Sequence, residues 1–112
     1  MPSAPRRNHR KDANHHDAAQ WLRDDWWLVD DTSSIAPALG GKLAGWPDHT
    51  CGHKLAPGLV VFVEVKVAGE PLTPAEEAWW AAHPHWHKEI VTSWEDVRAM
   101  TRRYVPQMGR VR

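Results

Sequence analysis

The chain has 112 residues, enough for one small domain and too few for two. Its 14 Lys and Arg balance 14 Asp and Glu, and a formal charge of zero, taken as a sum, argues against a nucleic-acid partner, which usually meets a basic excess. A single cysteine, Cys51, excludes an internal disulfide framework and a Cys-rich zinc site, and the longest apolar run, Leu59 to Val63, is far short of the roughly 20 residues that cross a bilayer.

Hydrophobic residues make up 42% of the chain, which supports a packed core rather than a disordered polymer. The one cysteine fits a reducing compartment, and the stretch from Met1 to Arg7 lacks the apolar segment of a secretory signal. The zero charge hides segments of opposite sign. Residues 1–11 carry four cations and no acid, residues 12–31 carry six aspartates and one arginine, and residues 101–112 carry four arginines. This pattern has two readings: solvated tails, or two basic arms around an acidic body that suits a phosphate ligand approaching a metal-binding site.

In chain order, residues 1–11 read as a disordered basic arm, residues 12–105 as the folded domain, and residues 106–112 as a basic tail. From Asp12 the pattern turns helical, with Asn14 as a cap, Asp17 three residues on, and Ala18, Trp21 and Leu22 as a short apolar face. Asp24-Asp25 ends that helix, and Trp26 to Val29 reads as a short strand. Residues 31–46 contain Pro37, Gly40-Gly41 and Gly45 and form a long loop. His49 to Gly52 leaves room for one strand and a turn.

Leu59 to Val67 is rich in β-branched residues and bounded by glycines, so it reads as a core strand. Its period of two puts Val61, Val63, Val65 and Val67 on one face and Phe62, Glu64 and Lys66 on the other. Thr73 then caps a helix with Pro74 at its first position and Glu76 closing a capping box; Ala75, Ala78, Trp79 and Ala82 form the expected buried stripe. His83-Pro84 stops the helix. Glu89 to Thr92 reads as a further strand. Ser93 caps a last helix whose inner positions are Trp94, Val97, Met100, Thr101 and Tyr104. The order α-β-β-β-α-β-α implies an α/β fold, a small mixed β-sheet flanked by helices.

A charged pair on a hydrophobic strand asks for a reason. Glu64 and Lys66 point the same way, and buried charges need pairing or a metal. The bland alternative is a wet edge strand with ordinary surface charges. Asp48 lies on the adjacent strand segment, and two converging carboxylates, a backbone carbonyl and waters suit a hard divalent cation, with a lysine to orient or help deprotonate an attacking water.

The pieces Gly45-Trp46-Pro47-Asp48, Val63-Glu64-Val65-Lys66, Leu72-Thr73-Pro74-Ala75-Glu76 and Val91-Thr92-Ser93-Trp94-Glu95-Asp96 occur in one order over a single domain. Together they resemble the VRR-NUC (virus-type replication-repair nuclease) branch of the PD-(D/E)xK nuclease superfamily, over roughly residues 12–101. The resemblance implies a phosphodiester hydrolase of branched or flapped DNA, like a Holliday-junction resolvase, working as a homodimer in a bacterial or phage-infected cytoplasm. It implies Mg2+ or Mn2+ held by Asp48, Glu64 and the Val65 carbonyl, with Lys66 positioning the water or stabilising the transition state. Asp17 would be a further acidic contributor from the first helix, or simply a helix cap. Glu76 stands where the family usually has glutamine. It completes a capping box, or pairs with Lys66, or adds negative charge near phosphate and weakens activity, which leaves open a non-catalytic DNA-binding protein that keeps the fold.

His83, His85 and His87 alternate as in some metal-binding tracts, or are ordinary loop residues. His49 and His53 either lie near a bound phosphate or are solvated turn residues. Cys51 reads as a small buried residue rather than a nucleophile. Of the eight tryptophans, Trp21, Trp79 and Trp94 read as core. The others await cover by a dimer partner or by unpaired bases.

Overall fold

Helix α1 (Ala4–Asp24) leads into strand β1 (Trp27–Asp31), followed by β2 (His49–His53), β3 (Ala56–Val65), α2 (Pro74–Ala82), β4 (His87–Val91) and α3 (Trp94–Tyr104). The computed structural model describes residues 4–32 and 44–108; most of the loop expected at 31–46 lies outside them. The four strands lie in sequence order, β1-β2-β3-β4. The first three pair antiparallel and β4 runs parallel to β3. The crossover between them carries α2, as a parallel connection requires. The fold is thus the expected mixed sheet with three helices, in the expected order.

The alternation along β3 sets the layers. Val61 and Val63 join Leu22 from α1, Trp27 and Cys51 from β1 and β2, and Val97 and Met100 from α3 in one buried cluster. Trp27 is core because its indole is both enclosed and satisfied, Nε1 donating to Thr101 Oγ1 at 2.9 Å. The opposite face of β3 presents Phe62, on which Trp79 of α2 packs edge-on at 5.5 Å. Helices α1 and α3 therefore cover one face and α2 part of the other. Among the described residues no helix is long and apolar enough to cross a membrane.

Several local expectations shift. Helix α1 begins at Ala4, ahead of Asp12, so Asn14 lies inside the helix and is not its cap. Strand β1 starts one residue late because Trp26 takes φ 72°, turning the chain out of the helix before the strand. Trp21 and Trp94 are only half-buried at the rim of the core. In α2 the capping box forms as expected, but only Trp79 is buried. Ala75, Ala78 and Ala82 are exposed, since the helix rests on the sheet through one large ring. The expected tail is not all solvated either: Met108 belongs to the core.

Candidate active site

The site lies where β3 leaves the sheet. His49 of β2 pairs with Val63 of β3, and extending that antiparallel register by one step sets Asp48 beside Glu64. Asp48 Oδ2 then accepts the Val65 N–H at 2.8 Å, which fixes the carboxylate against the strand end. Val65, expected to lend its carbonyl to a metal, is thus tied to Asp48 through its N–H.

Glu64 and Lys66 are each about 1% exposed, so the wet-edge alternative fails for both. The Lys66 ammonium donates to Glu76 Oε1 at 2.7 Å, with Glu70 Oε2 at 3.7 Å and Glu64 Oε2 at 3.9 Å. Burial works against its charge, but the Glu76 hydrogen bond and the three carboxylates outweigh it and raise its pKa above the ordinary value. In this setting Lys66 acts as a donor, held in place through its bond to Glu76. Glu76 Oε1 also accepts the Thr73 N–H at 2.8 Å, so one oxygen closes the capping box and holds Lys66. The two readings of Glu76 coexist, and its carboxyl is held below the usual range by Lys66 and Thr73 in spite of partial burial.

Glu64 is the strained member. Its Oε1 is buried without a hydrogen-bond partner. Burial above all, then the facing Asp48 carboxylate and Glu76, push its pKa up to about 9 against the pull of Lys66. A buried oxygen with no donor, facing a second carboxylate, is a hard-oxygen donor set that fits Mg2+ or Mn2+.

Asp48, Glu64, Lys66 and Glu76 are brought together; Asp17 is exposed on α1 and outside this group. Among the described side chains of α1, Asn14 and His15 reach the site: Asn14 Nδ2 donates to the Lys66 carbonyl at 2.7 Å, and His15 Nδ1 lies 3.7 Å from Asp48 Oδ1. His15 precedes Ala18 and Leu22 by helical steps of three and seven, the spacing that marks the buried face. Glu70 follows Lys66 across a turn in which its Oε1 accepts the Val67 N–H at 2.9 Å.

The other histidines divide by partner. His53 is no solvated turn residue: Nε2 lies 2.9 Å from the Asp25 carbonyl and Nδ1 accepts the Leu55 N–H at 3.0 Å, so it braces the turn after β2. His49 is buried as well, its pKa lowered by burial and by neighbouring His15. The His83–His87 tract splits up: His83 stacks on Trp79 at 4.2 Å while His87 sits against Tyr104 at 5.0 Å. Cys51 is enclosed, and burial pushes its thiol up to about 12, which removes it as a nucleophile. Beside the site, Trp46, Phe62, Trp79 and Trp86 form an aromatic layer, with Trp86 stacked on Phe62 at 5.0 Å.

No protein-family profile matches the chain, and none of the curated proteins compared with it matches.

Proposed function

We propose that the chain is a metal-dependent deoxyribonuclease of the PD-(D/E)xK kind, closest to the VRR-NUC branch, which hydrolyses phosphodiester bonds in branched or flapped DNA. The observation that carries the reading is the meeting of Asp48 with Glu64 and Lys66, which follow it by 16 and 18 residues, at one buried strand end where Glu64 Oε1 has no donor. Asp48 and Glu64 would hold Mg2+ or Mn2+, whose charge polarises a phosphoryl oxygen and acidifies water. Lys66, kept protonated by Glu76, donates towards the charge that builds on the phosphate. Glu76 and Glu70 orient that ammonium. The same reading carries a homodimer and a cytoplasmic setting.

The test is cleavage of a radiolabelled four-way junction in magnesium or manganese. Asp48→Ala and Lys66→Ala, each checked for fold by far-UV circular dichroism, should lose cleavage; full cleavage by both folded variants removes the assignment. A second reading, a non-catalytic DNA-binding protein with this fold, is favoured by Glu76 and Glu70 at 2.7 and 3.7 Å from the Lys66 ammonium, which leave little net positive charge for phosphate. Junction binding in EDTA with no cleavage in either metal would support it.

A further inference from the structure

On the far side of Asp48, three further side chains converge from α1, β1 and β2. The antiparallel register sets Asp31 opposite His49, so both leave the same face of the sheet. His15 of α1 lies over that face, its ring 4.6 Å from the His49 ring. His15 Nε2 is 3.6 Å and His49 Nδ1 3.9 Å from Asp31 Oδ1, and one ligand atom from each residue lies within 4.8 Å of the others. His49 is 1% exposed, yet neither of its ring nitrogens has a hydrogen-bond partner. A neutral imidazole carries a donor and an acceptor, and protein interiors seldom leave both unused.

We propose that His15, Asp31 and His49 form a binding site for a zinc ion, separate from the carboxylate site of Asp48 and Glu64. Two imidazoles and one carboxylate are a borderline donor set, which suits zinc and not magnesium. A tetrahedral zinc needs neighbouring ligand atoms about 3.3 Å apart, so the pairs at 3.6 and 3.9 Å need to close by about 0.3 and 0.6 Å, and the two imidazole nitrogens, within 4.8 Å of each other, by up to about 1.5 Å. His15 supplies the arrangement typical of metal-ligating histidine. Its Nδ1 faces the Asp48 carboxylate, which leaves Nε2 on the side of Asp31 and His49. Asp31 is 42% exposed, which gives the ion a route in, and water would complete its four-coordinate shell. Asp48 is thereby shared, one oxygen on His15 and the other on the Val65 N–H.

The experiment uses the full chain, stripped with EDTA and titrated with cobalt(II) alone, which reports four-coordinate geometry by its visible absorption. One equivalent of strongly absorbing, four-coordinate cobalt, displaced by one of zinc, is expected; cobalt at the carboxylate site would be six-coordinate and only weakly coloured. Asp31→Ala and His15→Ala should each weaken zinc binding by at least the roughly 10–100-fold that loss of a group supporting a ligand costs. Glu64→Gln should leave it unchanged, as should the combined His83→Ala, His85→Ala and His87→Ala variant. Because these substitutions touch packed elements, the imidazole nitrogen resonances of His15 and His49 are followed in the unmodified protein on adding zinc, and both should shift. No uptake, unmoved resonances, unchanged affinity in the folded Asp31 and His15 variants, or loss of binding in either control overturns the site.

Discussion

Glu64 is buried among acceptors, and its raised pKa has a stability consequence whose sign is fixed. Between the ordinary carboxyl value of 4.5 and about 9, the folded chain keeps a proton on Glu64 that the unfolded chain releases. Stability from this residue is therefore complete below the lower value and is lost as pH rises towards the upper one, by up to about 1.4 kcal/mol per pH unit. His49 works in the other direction, but only below its ordinary value of 6.5. In EDTA, the thermal midpoint should thus fall from pH 6.5 to 9, and Glu64→Gln should flatten that slope; a slope unchanged in the variant would show that another group is responsible. Glu76 makes a second case. Glu76→Gln keeps the capping box and a hydrogen bond to Lys66 but removes a charge. It should lower stability by about 1 kcal/mol in denaturant titration, the difference between a charged and a neutral hydrogen bond. Under the nuclease reading it should also raise junction cleavage, because phosphate then meets one carboxylate fewer.

The elements place these residues through close backbone fits. Gly45 has φ +83°, and a Cβ there would lie 2.2 Å from the Ala75 carbonyl oxygen in the first turn of α2. Gly45→Ala combines left-handed strain of about 1–3 kcal/mol with that collision, and it should displace Asp48 and Glu76 relative to each other. Calorimetry should show a drop of several degrees, together with loss of junction cleavage under the nuclease reading. Much of this level is legible in the sequence. The Thr73-Pro74-Glu76 signature specifies its cap locally, and the valine alternation of β3 specifies its faces. What escapes is set by tertiary contact. Polar His49 and His53 read as turn residues because no local pattern shows that a helix and a carbonyl enclose them. Ala75, Ala78 and Ala82 follow a buried period, yet α2 touches the sheet through Trp79. Of the site, Asp48, Glu64, Lys66 and Glu76 are readable from motif and spacing. Asn14 and His15 are not, because Asn14 has the local signature of a cap and only packing against the strand end shows what either side chain meets.

Across the whole molecule, the basic residues cluster near the two chain ends, and Arg102 and Arg103 of α3 are exposed. If these ends meet phosphates, junction affinity should fall steeply with added salt, in a log–log plot with a slope near −0.9 per phosphate contact. Removing residues 1–11 should make that slope shallower; an unchanged slope would assign the contacts to the folded body. The sheet also leaves apolar residues in water. Leu28, Val60 and Ile90 alternate with core positions and so point away from the α1 and α3 side, each more than 40% exposed. With Trp86 they are the surface that a second copy or unpaired bases would cover under the proposed reading.

The hydrogen bond from Asn14 to the Lys66 carbonyl joins positions 52 apart. It makes the first helix a closing piece of the site and not a handle on it. A chain trimmed to begin at Ala18 would retain all four strands and most of the core. It would still lose the cover over His49 and the group that pins the backbone at Lys66. N-terminal shortening, a routine step in preparing a small domain, would here remove part of the site while leaving every residue of the buried cluster in the chain.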